Sequence, residues 1–350
     1  MGSNISVVVG AQYGSEGKGA IAGHLASTPG RPTVCVRVGG PNAGHTVIGN
    51  GPDGPEHAWR LQTVPVAAVT DHQADLVIAA GSEIDPAILD RETQLLEEYG
   101  HPVLNRLFID GQATLLTPEH QQTETDRDLH AKIGSTGKGI GAARADRIMR
   151  TATLWRDYSD QAHDTAKFLN DMIHGGSHIV IEGTQGYGLG LHAGHYPQCT
   201  SNNARAIDFL SMAGVSPWQQ GVDRLRVYAV ARTHPIRVAG NSGPLKGETT
   251  WQDLGLDPEL TTVTRKVRRV GEWDSALVRQ AVELNGGSKD VRVCLTMLDH
   301  VIPEVAHYVG PIEGMPDRAR KWVHQVEKDT GARVAFVGTG PGTVAYGEDE

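Results

Sequence analysis

The chain is poor in several things, and each scarcity closes off a class of protein. Its three cysteines, Cys35, Cys199 and Cys294, are too few and too scattered for a disulfide framework, which points to a reducing cytoplasm. No apolar run approaches the ~20 residues that a bilayer-spanning helix needs. The opening Met1-Gly2-Ser3-Asn4 lacks the basic region of a secretion signal. Gly2 with Ser6 superficially fits a lipidation pattern, but a core-like strand follows at once. Cationic residues are outnumbered, 32 against 41, and the net charge of -9 argues against a surface that coats nucleic acid. The expectation is therefore a chain with neither nucleic-acid nor membrane partners, whose basic chemistry is local.

What the chain does have is short β-branched runs bounded by turn residues. They are residues 5–9, 33–38, 76–80, 178–182, 225–231, 291–296 and 333–337. Their near-continuous hydrophobicity, without alternation, suits strands covered on both faces, as in parallel sheets. Helical patterns lie between several of them. Asp85-Pro86 reads as an N-cap with proline at the first helical position, followed by a stripe of Ile88, Leu95, Leu96 and Tyr99. Trp273, Leu277, Ala281 and Leu284 make another stripe before Asn285-Gly286-Gly287, and residues 160–173 look similar. The expected fold is α/β, with a mostly parallel central sheet flanked by helices and long functional loops. No repeat, low-complexity linker or charge boundary divides residues 1–350, so one domain is expected.

The first functional loop is Gly14-Ser15-Glu16-Gly17-Lys18-Gly19, between an apolar strand and a helical pattern. Such a turn presents backbone N–H groups and a positive helix end to an anion, and Lys18 adds a charge suited to phosphate. The site is P-loop-like rather than a true Walker loop. Gln12 stands where the first Walker glycine belongs, and Gly19 stands where Ser or Thr would hold magnesium. A second turn, residues 39–46, carries Asn42, Gly44, His45 and Thr46. Loops after adjacent parallel strands open at one sheet edge, where ligands bind. A third, residues 134–141, leads to Arg144, Arg147 and Arg150; it suits a monophosphate and equally a solvated surface loop. A fourth, Glu182-Gly183-Thr184-Gln185-Gly186, continues to His192, His195, Cys199 and Thr200, which supply too few ligands to favour zinc. Residues 261–269 cluster hydroxyls and cations that fit a dicarboxylate, or simply face solvent.

Taken in order, these segments resemble adenylosuccinate synthetase along nearly the whole chain. The matching runs are YGSEGKG, GGPNAGHT, IGSTGKGIG, EGTQG, HYPQCTSNN, TRKVRRVGEWD, CLTMLD and VGTGPG. The chain resembles compact archaeal and phage forms, being short between Arg150 and His178. The resemblance implies a ligase that phosphorylates the purine 6-oxygen and then lets the amine of L-aspartate displace phosphate. It implies that Gly14, Ser15, Glu16, Gly17, Lys18 and Gly19 hold the triphosphate, together with Gly44, His45, Thr46, Arg268, Asp299, Gly338, Thr339 and Gly340. His45 matches a general acid, and Ser15, His45 and Lys18 form the catalytic set. Ser15 and the carbonyl of Gly44 match ligands of Mg2+. Ser15, Asn42, Thr136, Arg150, Gln185 and Thr200 match contacts to the acceptor nucleotide, with Arg150 lent across a homodimer. Thr262, Val263, Thr264, Arg265, Lys266 and Arg268 match the aspartate loop.

Three departures refine the expectation. Ser15 replaces the family's catalytic aspartate, and a hydroxyl leaves room beside purine N1 for a 2-amino group. That change marks the phage-type 2-aminoadenylosuccinate synthetase branch, whose acceptor is dGMP. Met297 replaces a lysine beside the donor base, and Gly342 replaces an aspartate, so ATP or dATP is expected rather than GTP. Rival readings are an IMP-using synthetase that tolerates serine, a non-catalytic nucleotide sensor, and, least favoured, a P-loop GTPase switch.

Overall fold

The computed structural model describes residues 3–28, 30–260 and 266–347. The expected aspartate contacts Thr262, Val263, Thr264 and Arg265 lie outside the described residues. Among the described residues, nine strands form one sheet. In chain order they are β1 (Ser3–Gly10), β2 (Thr33–Arg37), β3 (Asp75–Ile78), β4 (Leu107–Ile109), β5 (His178–Glu182), β6 (Val222–Arg232), β7 (Val291–Thr296), β8 (Val334–Gly340) and β9 (Thr343–Tyr346). Across the sheet the order is β9-β8-β7-β6-β1-β5-β2-β3-β4. Every pairing is parallel except that of β8 with β9.

All seven apolar runs fall in this sheet, and the reason is visible in β1. Ile5, Val7 and Val9 face one core with Phe209, Leu169 and Ile181, whereas Val8 faces a second core with Ile21, Leu25 and Leu76. Both faces are dry, so the strand reads as a continuous apolar run. One expectation is corrected here. β2 does not neighbour β1; β5 lies between them, pairing Asn4 with His178 on one side and Thr33 with His178 on the other. The first and second loops therefore straddle the end of β5.

The helix α1 (Lys18–Ala26) follows β1 directly. α2 (Pro86–Glu98) is capped by the Asp85 carboxylate, which accepts from Ala87 N at 3.0 Å and Ile88 N at 3.3 Å. Its buried side is Ile88, Leu89 and Leu96, with Leu95 turned largely outward. α3 (Ile140–Met149) follows the third glycine-rich loop. α4 (Thr165–His174) begins later than the pattern from residue 160 predicts, because residues before it are held by a bridge between Asp110 and His163. α5 (Ala206–Ala213) and α6 (Ser275–Glu283) are tied by Asn285, whose side chain accepts from Ala206 N and donates to Ala281 O. α6 buries Val278, Ala281 and Val282, so its stripe is rotated from the expected one and leaves Leu284 exposed. Among the described residues no helix is long and apolar enough to cross a membrane.

Candidate active site

The site grows from the carboxyl ends of β1, β2, β5, β6, β7 and β8, which open at one edge of the sheet. After Gly10 the chain makes a turn with three positive φ angles, at Gly14 (83°), Ser15 (57°) and Gly17 (91°). Gly17 caps α1, and Lys18 is its first residue. Inside this turn Glu16 is fully buried. Its carboxylate accepts from Gly14 N at 2.8 Å and Gln12 N at 3.2 Å, and it pairs with Lys18 Nζ at 2.6 Å. The loop thus carries its own anion, and Lys18 reaches the site already neutralised. Thr296 at the end of β7 fastens the turn from below, donating to Glu16 O at 2.6 Å.

The two departures from the Walker pattern have physical reasons. Gln12 is fully buried, and its amide exchanges two 3.0 Å hydrogen bonds with the backbone of Arg232, clamping the loop to β6. Gly19 faces a hairpin of residues 45–51 and 54–61; a Cβ there would lie 2.5 Å from Thr46 O and 3.0 Å from His45 Cβ. A Walker Ser or Thr cannot fit, and its absence is what brings the start of α1 against His45.

His45 is buried, and three groups define its state. Arg37 ends β2 and Glu182 ends β5; they form a buried ion pair at 3.3 Å. Both reach His45 Nδ1, Arg37 through Nη1 and Glu182 through Oε2 at 3.0 Å. Arg37 also donates to Ala43 O, while Glu182 accepts from Val66 N at 2.8 Å. Nε2 is buried and has no hydrogen-bond partner in the described structure. Burial, reinforced by Arg37 and Lys18, lowers the His45 pKa well below the ordinary imidazole value. Burial likewise raises Glu182, against the pull of Arg37, to about 7. The imidazolium is therefore disfavoured. The two contacts make opposite demands on Nδ1: a guanidinium can only donate to it, which favours the proton on Nε2, whereas an ionised carboxylate can only accept from it, which favours the proton on Nδ1. In the tautomer that Arg37 favours, the unpartnered Nε2 is a buried donor awaiting an acceptor, as a 6-oxo group would be.

The remaining expected residues divide into groups. Gln185 (φ 63°) lies against the first loop: a Cβ on Gly10 would meet its carbonyl at 2.5 Å. Thr200 bonds through its N–H to Leu189 O in the loop that follows. Asn42 is half-buried, and Gly44 and Thr46 are exposed beside it. The second and third loops meet where a Cβ on Gly40 would lie 2.5 Å from Ile140 Cδ1. Thr136 is exposed in the third loop, while Arg150 is exposed at the far end of α3 with φ 65°. Asp299, after Met297 (φ 59°), has a buried Oδ1 with no hydrogen-bond partner among the described residues, an unmet acceptor that an exocyclic amine would satisfy. Gly338 and Gly340 end β8, but the hydroxyl of Thr339 is committed internally to Tyr308 O at 2.7 Å and Thr343 Oγ1 at 3.0 Å. Arg268 donates through Nε to Leu260 O at 3.3 Å. Lys266 is exposed two residues before it.

Comparison with known proteins gives a consistent result. The family model for adenylosuccinate synthetase matches residues 7–162 and 152–307. The adenylosuccinate synthetase of Pyrococcus horikoshii is 35% identical over 343 residues, covering 96% of this chain and 95% of the relative. That of Methanococcus vannielii is 33% identical over 344 residues, covering 96% of each. Among solved structures, the cyanophage S-2L succinoaminodeoxyadenylate synthetase, bound to dGMP and to dATP as an energy donor, superposes with a TM-score of 0.81 at 27% identity, covering 99% of this chain and 96% of that one. The fully ligated Plasmodium falciparum adenylosuccinate synthetase has the same fold, with a TM-score of 0.83 at 21% identity, covering 98% and 99%.

Proposed function

Because the chain belongs to the adenylosuccinate synthetase family of carbon–nitrogen ligases, we propose that it joins L-aspartate to carbon 6 of dGMP. ATP or dATP is the phosphoryl donor, and the product is 2-amino-2'-deoxy-N6-succinyladenylate. The observation that carries this reading is Ser15. It sits exposed in a positive-φ turn above a loop fixed by Glu16, Gln12 and Thr296, where the family's carboxylate is replaced by a small hydroxyl. The cyanophage neighbour, with dGMP and dATP bound, supports the same choice.

The chemistry then follows from the residues. The 6-oxygen of the purine attacks the γ-phosphorus, the bond to the leaving diphosphate breaks, and the N1 proton passes to solvent water at the exposed Ser15. Nε2–H of His45 donates to the 6-oxygen, favouring the tautomer that can be phosphorylated. Lys18, drawn from Glu16 towards the incoming phosphates, stabilises charge as it develops on the transferring group. The amine of aspartate next attacks carbon 6 and the carbon–oxygen bond breaks, releasing phosphate. Arg268 and Lys266, with the run before them, receive the dicarboxylate. Asn42, Thr136, Gln185 and Thr200 hold the acceptor nucleotide, and Arg150 completes that site in a second copy of the chain.

The exposed Ser15 hydroxyl and Gly44 carbonyl are hard oxygen donors that fit Mg2+ when phosphate oxygens supply the rest of its shell. The ion would offset the charge of the donor phosphates. Asp299 would accept from the 6-amino group of adenine, and Met297 supplies no cation beside it. An IMP-using synthetase is the second reading, favoured by the names of the archaeal relatives. Product mass after incubation with aspartate, Mg2+, ATP and either dGMP or IMP separates the two. A succinylated product from dGMP is expected; formation from IMP alone would overturn the proposal.

A further inference from the structure

Arg232, at the end of β6, makes contacts that the proposed chemistry does not use. It is 1% exposed. Nη1 donates to the Ser15 carbonyl at 3.3 Å and to Glu259 Oε2 at 3.1 Å, and Nη2 donates to Glu259 Oε1. The backbone of Glu259 accepts from Arg268 N at 2.8 Å, and the neighbouring Leu260 bridges to Val267. One guanidinium therefore joins the positive-φ residue of the glycine loop to the bridged segments, Glu259-Leu260 and Val267-Arg268, on which Arg268 lies.

We infer that Arg232 and Glu259 are positioning residues, a strut that fixes Ser15 and Arg268 relative to one another and couples the nucleotide site to the dicarboxylate site. The inference rests on the ligase reading above. Arg232 is buried but Glu259 is 31% exposed, and an ion pair of this kind adds little net stability over apolar residues of equal volume. What a planar bidentate fork adds is direction, here towards a carboxylate and a carbonyl at once. The neutral amide of a glutamine in place of Glu259 presents only one acceptor oxygen to that fork. The glycine loop and the bridged segments then lose their common reference. By linkage, the coupling acts equally in both directions, and couplings of roughly 5- to 150-fold are usual between communicating sites.

The test is calorimetric titration of a non-hydrolysable ATP analogue, with Mg2+ and dGMP, in the absence and presence of L-aspartate. In the wild type, aspartate should tighten analogue binding by about 5-fold or more. In Glu259→Gln the tightening should fall to less than about 2-fold, while analogue affinity without aspartate stays within about 3-fold of wild type; the melting temperature should fall as well, because the buried Arg232 charge loses its counter-charge, but a general loss of stability alone would leave the coupling in place. Glu259→Asp, which keeps the charge but shortens the reach, should give intermediate coupling and shows that the effect is geometric. Full coupling retained in Glu259→Gln, or no coupling in the wild type, would overturn the inference. Failure of the ligase reading shows separately, as a wild type that forms no succinylated product.

Discussion

Gly14-Ser15-Glu16-Gly17-Lys18-Gly19 and Gly134-Ser135-Thr136-Gly137-Lys138-Gly139 differ at one position in six, and each runs into a helix, α1 and α3. In the first, the lysine is buried and its ammonium is held by a fully buried glutamate from within the loop. In the second, Thr136 replaces that glutamate, Thr136 and Gly137 are exposed and Lys138 is half-exposed. A carboxylate from outside, Glu124, serves the second loop instead, accepting from Ser135 Oγ at 2.9 Å and Gly141 N at 3.1 Å. Both loops need an anion for their N–H and hydroxyl donors. The internal anion makes a rigid loop whose lysine stays paired until phosphates draw it away, as the proposed phosphoryl transfer requires. The external one leaves the tip open, which suits holding a monophosphate that must enter and leave.

The largest effect expected from this contrast is catalytic. Lys18→Ala should lower turnover by ~100-fold or more, because its charge acts mainly on the transition state. Lys138→Ala should change turnover by less than about 10-fold and act chiefly on the KM for dGMP. Steady-state kinetics of both variants decide, and equal losses would erase the distinction between the loops.

The next effect is on stability. Glu16→Ala leaves a buried lysine and two loop N–H groups unmet and should cost about 3–5 kcal/mol. Glu124→Ala removes a partner from a half-open loop and should cost about 1–3 kcal/mol. Denaturant unfolding of the two variants measures the difference. A larger loss at Glu124 would mean that the second loop, not the first, is the rigid one.

A smaller effect concerns Gly17 and Gly137. Both have positive φ, 91° and 69°, so alanine at either pays about 1–2 kcal/mol of backbone strain. At Gly17 the new Cβ would also meet Thr296 Cγ2 at 3.3 Å, whereas at Gly137 none of the described residues lies within 4 Å. Gly17→Ala should therefore melt a few degrees below Gly137→Ala, and the reverse order would contradict the packing of the first loop on β7.

How much of this was legible in the sequence follows the same division. Strands covered on both faces announced themselves as apolar runs, so seven of the nine were readable. β4, three residues long, and the antiparallel β9 at the sheet edge carry no such signal. The glycine turns were readable as anion loops, but their partners were not. Glu182 lies 137 residues from His45, and Arg232 lies 217 residues from Ser15. A signal for them did exist: Arg37, Glu182 and Arg232 each end an apolar strand with a charge, and a buried charge must be paired. The sequence shows that such pairs are needed; only the strand order, with β5 between β1 and β2, shows which charges meet.

The twin loops also share a serine in different settings, and this bears on substrate choice. Ser135 donates to Glu124, whereas Ser15 is exposed and, among the described residues, engages only its backbone carbonyl, which accepts from Arg232. The most direct measurement is the ratio of kcat/KM for dGMP to that for IMP, in the wild type and in Ser15→Asp, at fixed Mg2+ and saturating aspartate. The wild type should favour dGMP. Placing a carboxylate beside N1 crowds the 2-amino group or leaves it unpaired, at about 1–3 kcal/mol. The ratio should then move towards IMP by roughly five- to hundred-fold. An unchanged or increased ratio in Ser15→Asp would contradict the assignment of Ser15 as the residue that selects a 2-amino purine.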